Sequence, residues 1–213
     1  MASHLLPRTP AHQVARFPYD KLGDAELVEA IRRTRDPAVL GVVWDRYAEL
    51  VRSVLRGVLG ADAAIEDLLQ DVFVAVLRGI DTVRDGARLR GFLIGVTVRL
   101  AVLELRRRKI RRWVTLSPDG SVPDPPIPPR DVEGREALRS FYRILDQMAT
   151  RRRLAFVLRH VHGLEMLEVA EALGVSESTA KREAARGKEQ VTRLAMRDPA
   201  LQHYLEIRRG DHP

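Results

Sequence analysis

A chain of 213 residues has room for one large domain or two small ones, each with a core of its own. A net charge of +7 and a pI near 10.3 favour a polyanionic partner. The absence of cysteine excludes disulfides and thiolate metal sites.

Residues 1–23 read as an extension. They hold prolines and histidines but no long apolar core, so no secretory signal is expected. No apolar run approaches the roughly 18 residues of a membrane span, and a soluble cytoplasmic protein without membrane insertion is expected. Asp24 is a candidate cap for a short helix over 25–34. Asp36 followed by Pro37 is a strong start signal. After it, Leu40, Val43, Trp44, Tyr47, Val51, Val54, Leu55 and Val58 recur at helical spacing. Asp62 is expected to open the next helix, with Ile65, Leu68, Leu69, Val72, Phe73, Val76 and Leu77 as its stripe. A fourth begins near Arg88, with Leu89, Phe92, Leu93, Val96, Leu100 and Leu103 inward. These stripes close one small helical core. No alternating pattern of comparable length argues for a sheet, so the fold class is all-α.

The fourth helix runs into "LELRRRKIRRW", in which six of the seven residues from Arg106 to Arg112 are cationic. On a helical wheel these charges surround the axis. A helix end charged all round is expected to project toward solvent or an anion, and contacts to phosphates relieve its self-repulsion. The charge then changes sign. Residues 1–113 carry a net of +6, residues 114–134 a net of −3, and residues 135–213 a net of +4. The acidic block contains "SPDGSVPDPPIPPRD", with six of the twelve prolines. Proline forbids helix and central strand, so an extended linker is expected there.

Beyond the linker, helices are expected near 132–149, 151–161 and 165–173. In "ALGVSESTAKREAARGKEQV", Gly174 suits the left-handed end of one helix and Ser176 the cap of the next. That is helix-turn-helix spacing. Ala180, Ala184, Gly187 and Val191 are expected inward; Ser178, Thr179, Lys181, Arg182, Ala185 and Arg186 are expected outward, where small polar and cationic side chains fit a major groove. On the helix after Asp62, Glu66, Asp67, Gln70 and Asp71 oppose the apolar stripe. This face repels DNA and suits a protein partner, though a solvated acidic helix start has the same appearance.

Enzyme signatures are absent. "RGKEQ" lacks the earlier glycine and the hydroxyl residue of a phosphate loop. His160 and His162 lie two apart on a helix and face different ways, which is poor metal geometry. No catalytic residue, metal, cofactor or small-molecule substrate is expected.

"WDRYAELVRSVLRGVLGADAAIEDLLQDVFVAVLRGI", then "RLRGFLIGVTVRLAVLELRRRKIRR", resembles the first conserved domain of bacterial sigma factors. "RRLAFVLRHVHGLEMLEVAEALGVSESTAKREAARGKEQV" resembles their last domain. Two helical domains with only a short linker between are similar to the extracytoplasmic-function subfamily of the sigma-70 family. The resemblance implies a sigma2-like helical bundle over 24–113, a Pro-rich acidic linker over 114–134, a sigma4-like helix-turn-helix domain over 135–197 and a tail over 198–213. It implies core RNA polymerase and promoter DNA as partners, with an anti-sigma factor as a further candidate, and no covalent chemistry. By residue, it implies core-polymerase binding by Glu66, Asp67, Gln70, Asp71 and Val74. It implies −10 binding by Arg88, Arg90, Phe92, Arg99, Arg106, Arg107, Arg108, Lys109, Arg111 and Arg112. It implies −35 binding by Ser176, Ser178, Thr179, Lys181, Arg182 and Arg186. The chain departs from the family at Phe92, where tryptophan is usual, and at Glu183, where arginine is common. Ile94, Val98, Ala101, Val102 and Leu105 also make the fourth helix apolar on nearly every side, and this extra face needs a partner: an anti-sigma protein or the other domain. Two further readings stand beside the sigma factor: a helix-turn-helix regulator acting without polymerase, and a sigma-like adaptor that has lost promoter melting.

Overall fold

The structure is a computed structural model and describes residues 19–60, 64–114 and 132–210. Regular structure among these residues is helical throughout. Helix α1 spans Asp24–Thr34, and its N-cap is Gly23. Asp24, expected as the cap, instead lies in the first turn. Its carboxylate accepts from Arg46 at 2.8 Å and from the Tyr47 hydroxyl, partners on the next helix that a cap position would forfeit. Burial and that carboxylate push the Tyr47 hydroxyl well above the ordinary tyrosine range. Helix α2 spans Pro37–Leu59 and starts as its sequence requires: the Asp36 carboxylate accepts from Ala38 N–H at 2.8 Å, and proline fills the first position.

Helix α3 spans Ile65–Gly79; Asp62 lies outside the described residues. Asp85 caps a 3-10 turn at Gly86–Arg88 that leads into α4, Leu89–Val114. The apolar stripes of α2, α3 and α4 meet as their periodicity predicts except at Leu103, expected inward on α4 but left 47% exposed, on the side of the helix that lines the open groove toward α6 and α7. Val54, Leu55, Leu69, Val72, Leu89 and Leu93 lose all solvent exposure, and each such side chain contributes about 1.5–3 kcal/mol. The Trp44 and Phe73 rings pack at 4.5 Å.

The second group of helices is α5 (Val132–Asp146), α6 (Thr150–Phe156, continued by a π turn over Val157–Val161), α7 (Met166–Leu173) and α8 (Glu177–Ala195). A further helix, α9 (Pro199–Gly210), lies against α5 and closes a tail in which no element was expected. Between α7 and α8, Gly174 takes φ 62° and ψ 40°, the left-handed conformation that glycine adopts without strain.

The two groups share one apolar core. The last turn of α2 is a seam between them, where Tyr142 of α5 donates to the Arg56 carbonyl at 2.8 Å; within the first group, Arg108 of α4 donates to the Leu59 carbonyl at 2.8 Å. Gly57 lets the π turn come close. A Cβ there would stand 2.8 Å from His162 Nε2 and 2.9 Å from a Val157 methyl. The extra apolar face of α4 meets α6 and α7. Val98 and Ala101 are buried, and Leu154 of α6 is buried with them.

Candidate nucleic-acid interface

The N-terminal end of α4 is where the expected −10 residues begin. Arg88 closes the Asp85-capped turn and Arg90 lies in the first turn of α4, with the buried Leu89 between them in sequence. Both already hold carboxylates. Arg88 stands 3.2 Å from Glu171 and 3.7 Å from Asp85, and Arg90 stands 2.5 Å from Glu168. The ring of Phe92 is half-buried and leans toward Gly79, where a Cβ would stand 3.0 Å from its tip. Beside it lies an open cavity of about 460 Å³ lined by Val83, Arg84, Arg88, Phe92, Arg99 and Glu171, among others. One aromatic residue and three arginines line it together with two acids, Asp85 and Glu171. Arg99 is exposed between this cavity and a second of about 560 Å³.

Further along α4 the cations divide. Arg106, Arg107 and Lys109 are exposed, as a projecting helix end requires. Arg108 is not. Its side chain keeps 16% of its exposure, pairs with Glu104 at 3.2 Å and donates to the Leu59 carbonyl at 2.8 Å. The expectation that all six charges project is therefore corrected at this residue. The final turn of α2 leaves carbonyls without helical donors, and a guanidinium satisfies one of them. The side chains of Arg111 and Arg112 lie outside the described ones.

In the second group, Ser176 caps α8: its hydroxyl accepts from Thr179 N–H at 3.3 Å and is bonded to the hydroxyls of Thr179 and Ser178. Its first duty is thus to the helix. Ser178, Lys181, Arg182, Ala185 and Arg186 are exposed and Thr179 is half-buried. Ala180, Ala184 and Gly187 are buried, and Val191 is half-buried. Lys181 pairs with Glu177 at 2.7 Å, four residues back on the same helix. Glu183 turns inward to Arg152 of α6 at 3.4 Å, which accounts for an acid at a position where the family commonly has arginine.

The acidic face of α3 is presented. Asp67, Gln70 and Asp71 are exposed around Val74, an apolar side chain that keeps 43% of its exposure. Glu66 is held by a forked bond from Arg52 at 2.8 and 3.1 Å, which keeps its carboxyl below the ordinary glutamate range. Glu168, Glu171 and Arg84 were not singled out in the sequence. Glu168 carries the signal of a capping box, since its carboxylate accepts from Glu165 N–H. Nothing local announces that it also reaches Arg90, 78 positions upstream.

The family comparisons fall on the same two groups of helices. Sigma-70 region 2 matches residues 43–111, and Sigma-70, region 4 matches residues 138–191. The chain is similar to the ferric citrate uptake sigma factor FecI of Escherichia coli, with 32% identity over 58% of this chain and 72% of that protein. It is similar to the sigma factor SigX of Bacillus subtilis, with 26% identity over 68% of this chain and 78% of that one. Among solved structures, the fold resembles CnrH in complex with the cytosolic domain of CnrY, with a TM-score of 0.62, 19% identity, and coverage of 82% of this chain and 98% of that one. It also resembles the sigma factor RpoE of Bartonella quintana in complex with the anti-sigma factor NepR, with a TM-score of 0.58, 19% identity, and coverage of 73% and 95%.

Proposed function

The chain belongs to the extracytoplasmic-function sigma factors of the sigma-70 family, and we propose that it directs core RNA polymerase to promoters through three separate surfaces. It is an alternative sigma factor, a transcription initiation factor whose partners are core polymerase and promoter DNA. In the proposed division, residues 24–113 bind core and the −10 element, the acidic segment 114–134 connects, and residues 135–197 bind the −35 element. Its place of action is the cytoplasm; no helix among the described residues is long and apolar enough to cross a membrane. An anti-sigma factor is a further proposed partner, since one structure of similar fold holds an anti-sigma factor and another holds the cytosolic domain of a partner protein.

The α3 face docks on the polymerase. Its carboxylates around Val74 suit a basic protein surface with an apolar centre and would repel a duplex. Arg106, Arg107 and Lys109 hold phosphates without reading sequence. Arg99, with Arg88 and Arg90 once their carboxylates leave, extends that track toward Phe92. A base taken out of the stack needs an apolar or aromatic surface and cations for its flanking phosphates. The cavity beside Phe92 supplies both, which supports retained promoter opening. The apolar surplus of α4, the motive for an adaptor without melting, finds its partner in α6 and α7 of the same chain. Lys181, Arg182 and Arg186 on α8 face the −35 element.

The observation that carries this reading is the succession of a region 2 match with exposed cations on α4 and a region 4 match with an exposed α8 in one chain. Transcription in vitro tests it. Purified protein added to core polymerase and a genomic promoter pool is expected to give defined start sites. A preparation that neither binds core nor starts transcription on any member of the pool defeats it.

A further inference from the structure

Two cations on the outer face of α8 have acidic neighbours on their own helix, and those neighbours are held differently. Glu177, which pairs with Lys181, keeps 46% of its side-chain exposure. Glu183 keeps 16% and lies at the border between the buried Ala180, Ala184 and Gly187 and the exposed Arg186. Its two carboxylate oxygens are divided between two arginines. Oε2 accepts from Arg152 Nε of α6 at 3.4 Å, and Oε1 stands 3.9 Å from a guanidinium nitrogen of Arg186. Arg152 is itself fixed, since it donates to the Gln190 side-chain oxygen at 3.0 Å, two turns further along α8. The two helices meet closely there. A Cβ on Gly187 would stand 2.8 Å from the Phe156 Cβ and 3.3 Å from the Arg152 carbonyl oxygen. One arginine of α6 thus clamps a carboxylate from behind α8, and that carboxylate reaches a cation of the outer face.

We infer that Glu183 is a positioning residue for Arg186: clamped by Arg152, it aims that guanidinium at the edge of a guanine in the −35 element rather than at a phosphate. The assignment rests on the reading that the outer face of α8 meets the −35 element. A free arginine on a cationic helix settles on the nearest phosphate, and that contact carries no sequence information. Forked bonding to guanine O6 and N7 needs the guanidinium plane in one orientation, and a fixed carboxylate behind it supplies that restraint. At 3.9 Å the pair guides Arg186 without a hydrogen bond, so its donors stay available. The anchoring is what separates Glu183 from Glu177. An exposed carboxylate is displaced when phosphates arrive, whereas one held by Arg152 stays in place. An acid here also subtracts from the charge that α8 shows to any duplex. Sequence-independent binding falls, while the contact of Arg186 to a base is kept.

The test measures binding by the holoenzyme, the full chain with core polymerase, to promoter fragments that carry every single-base change across the −35 element. The parent is expected to prefer a G·C pair at one position about tenfold over its replacements, the worth of one forked arginine contact. Glu183→Gln keeps the size of the side chain and an oxygen for Arg152, but no charge to restrain Arg186. It is expected to cut that preference to about twofold and to leave the preferences at other positions as they were. It is also expected to raise affinity for a fragment scrambled at −35. A charge swap separates this role from a mere tether between α6 and α8. Arg152→Glu with Glu183→Arg restores the tether and leaves Arg186 without its carboxylate, so the melting temperature is expected to stay near the parent's while the preference stays lost. Recovery of the preference in the swapped chain overturns the proposal, because the tether alone is then what matters. So does a Glu183→Gln holoenzyme with the parent's preference at every position, or one that loses preference evenly across the element. Arg186→Ala is expected to abolish the same preference and no other; a loss spread over all sequences makes Arg186 a phosphate contact and overturns the proposal too. The underlying reading fails separately, if the parent holoenzyme itself shows no preference anywhere in the element.

Discussion

Helices α4 and α8 both carry runs of cations, yet they hold them differently. On α8, Lys181 and Arg186 meet carboxylates, among the described residues, only within their own helix, at 2.7 and 3.9 Å, and both stay exposed. At α4, Arg90 and Arg88 of the turn before it reach another helix group, and Arg108 donates to the end of α2. A pair between neighbours on one helix stabilises that helix by a few tenths of a kcal/mol and leaves the outer face available. A pair between distant helices ties the surface it occupies to the arrangement of the whole chain. The outer face of α8, proposed for the −35 element, is therefore displayed within its own helix, whereas the surface at the start of α4, proposed for the −10 element, depends on how the two groups stand.

The sharpest way to break this comparison is the exposed part of α4. Replacing Arg106, Arg107 and Lys109 by alanine is expected to weaken promoter binding about a hundredfold and to reduce the slope of log affinity against log salt by about 2.7, with little change in melting temperature. Binding isotherms at several salt concentrations read both quantities; an unchanged slope removes these residues from the phosphate contacts. Arg108→Ala is expected to do the reverse. It leaves the Leu59 carbonyl and the buried Glu104 without that donor, lowering stability by about 2 kcal/mol while the salt slope stays put. Calorimetry that finds the variant as stable as the parent contradicts the division drawn within this cluster. On α8, Arg182→Ala is expected to cost about tenfold at the best −35 sequence and much less at a scrambled one. Equal losses on both would make Arg182 a phosphate contact.

The smallest effect concerns pH. Burial holds the His162 imidazole below the ordinary histidine value, and its Nε2 has no hydrogen-bond partner among the described residues. The neutral ring is the form the seam accepts. Its contribution is complete above about pH 6.5 and is lost as pH falls below that, because only a ring released to solvent gains the proton. The melting temperature is expected to fall slightly between about pH 7 and 5.5, and His162→Gln is expected to flatten that dependence. A parent and variant with identical profiles would take His162 out of the effect.

What could be read from sequence follows the range of each interaction. The stripes of α2, α3 and α4 were legible because burial repeats every 3.6 residues, and Gly174 and Ser176 because their conformations are set by the next few residues. Asp24 misled because its carboxylate answers to Arg46 and Tyr47, more than twenty residues on. Arg108 misled for the same reason at longer range: nothing near it states that a carbonyl 49 residues upstream lacks a donor. The extra apolar face of α4 was visible as a surplus, but its partner was one of two candidates until α6 and α7 were seen against it. The exposed face of α8 was legible because helical spacing alone decides what points away from Ala180 and Ala184.

Gly57 has a consequence for engineering. An ordinary helix position would carry at least a methyl group, and here that methyl would collide with His162 and Val157. Alanine at 57 would therefore press a single carbon against the His162 imidazole and a Val157 methyl where α2 meets the π turn, adding no charge. Whatever that one carbon changes in stability or binding would report on the spacing of this seam rather than on its electrostatics.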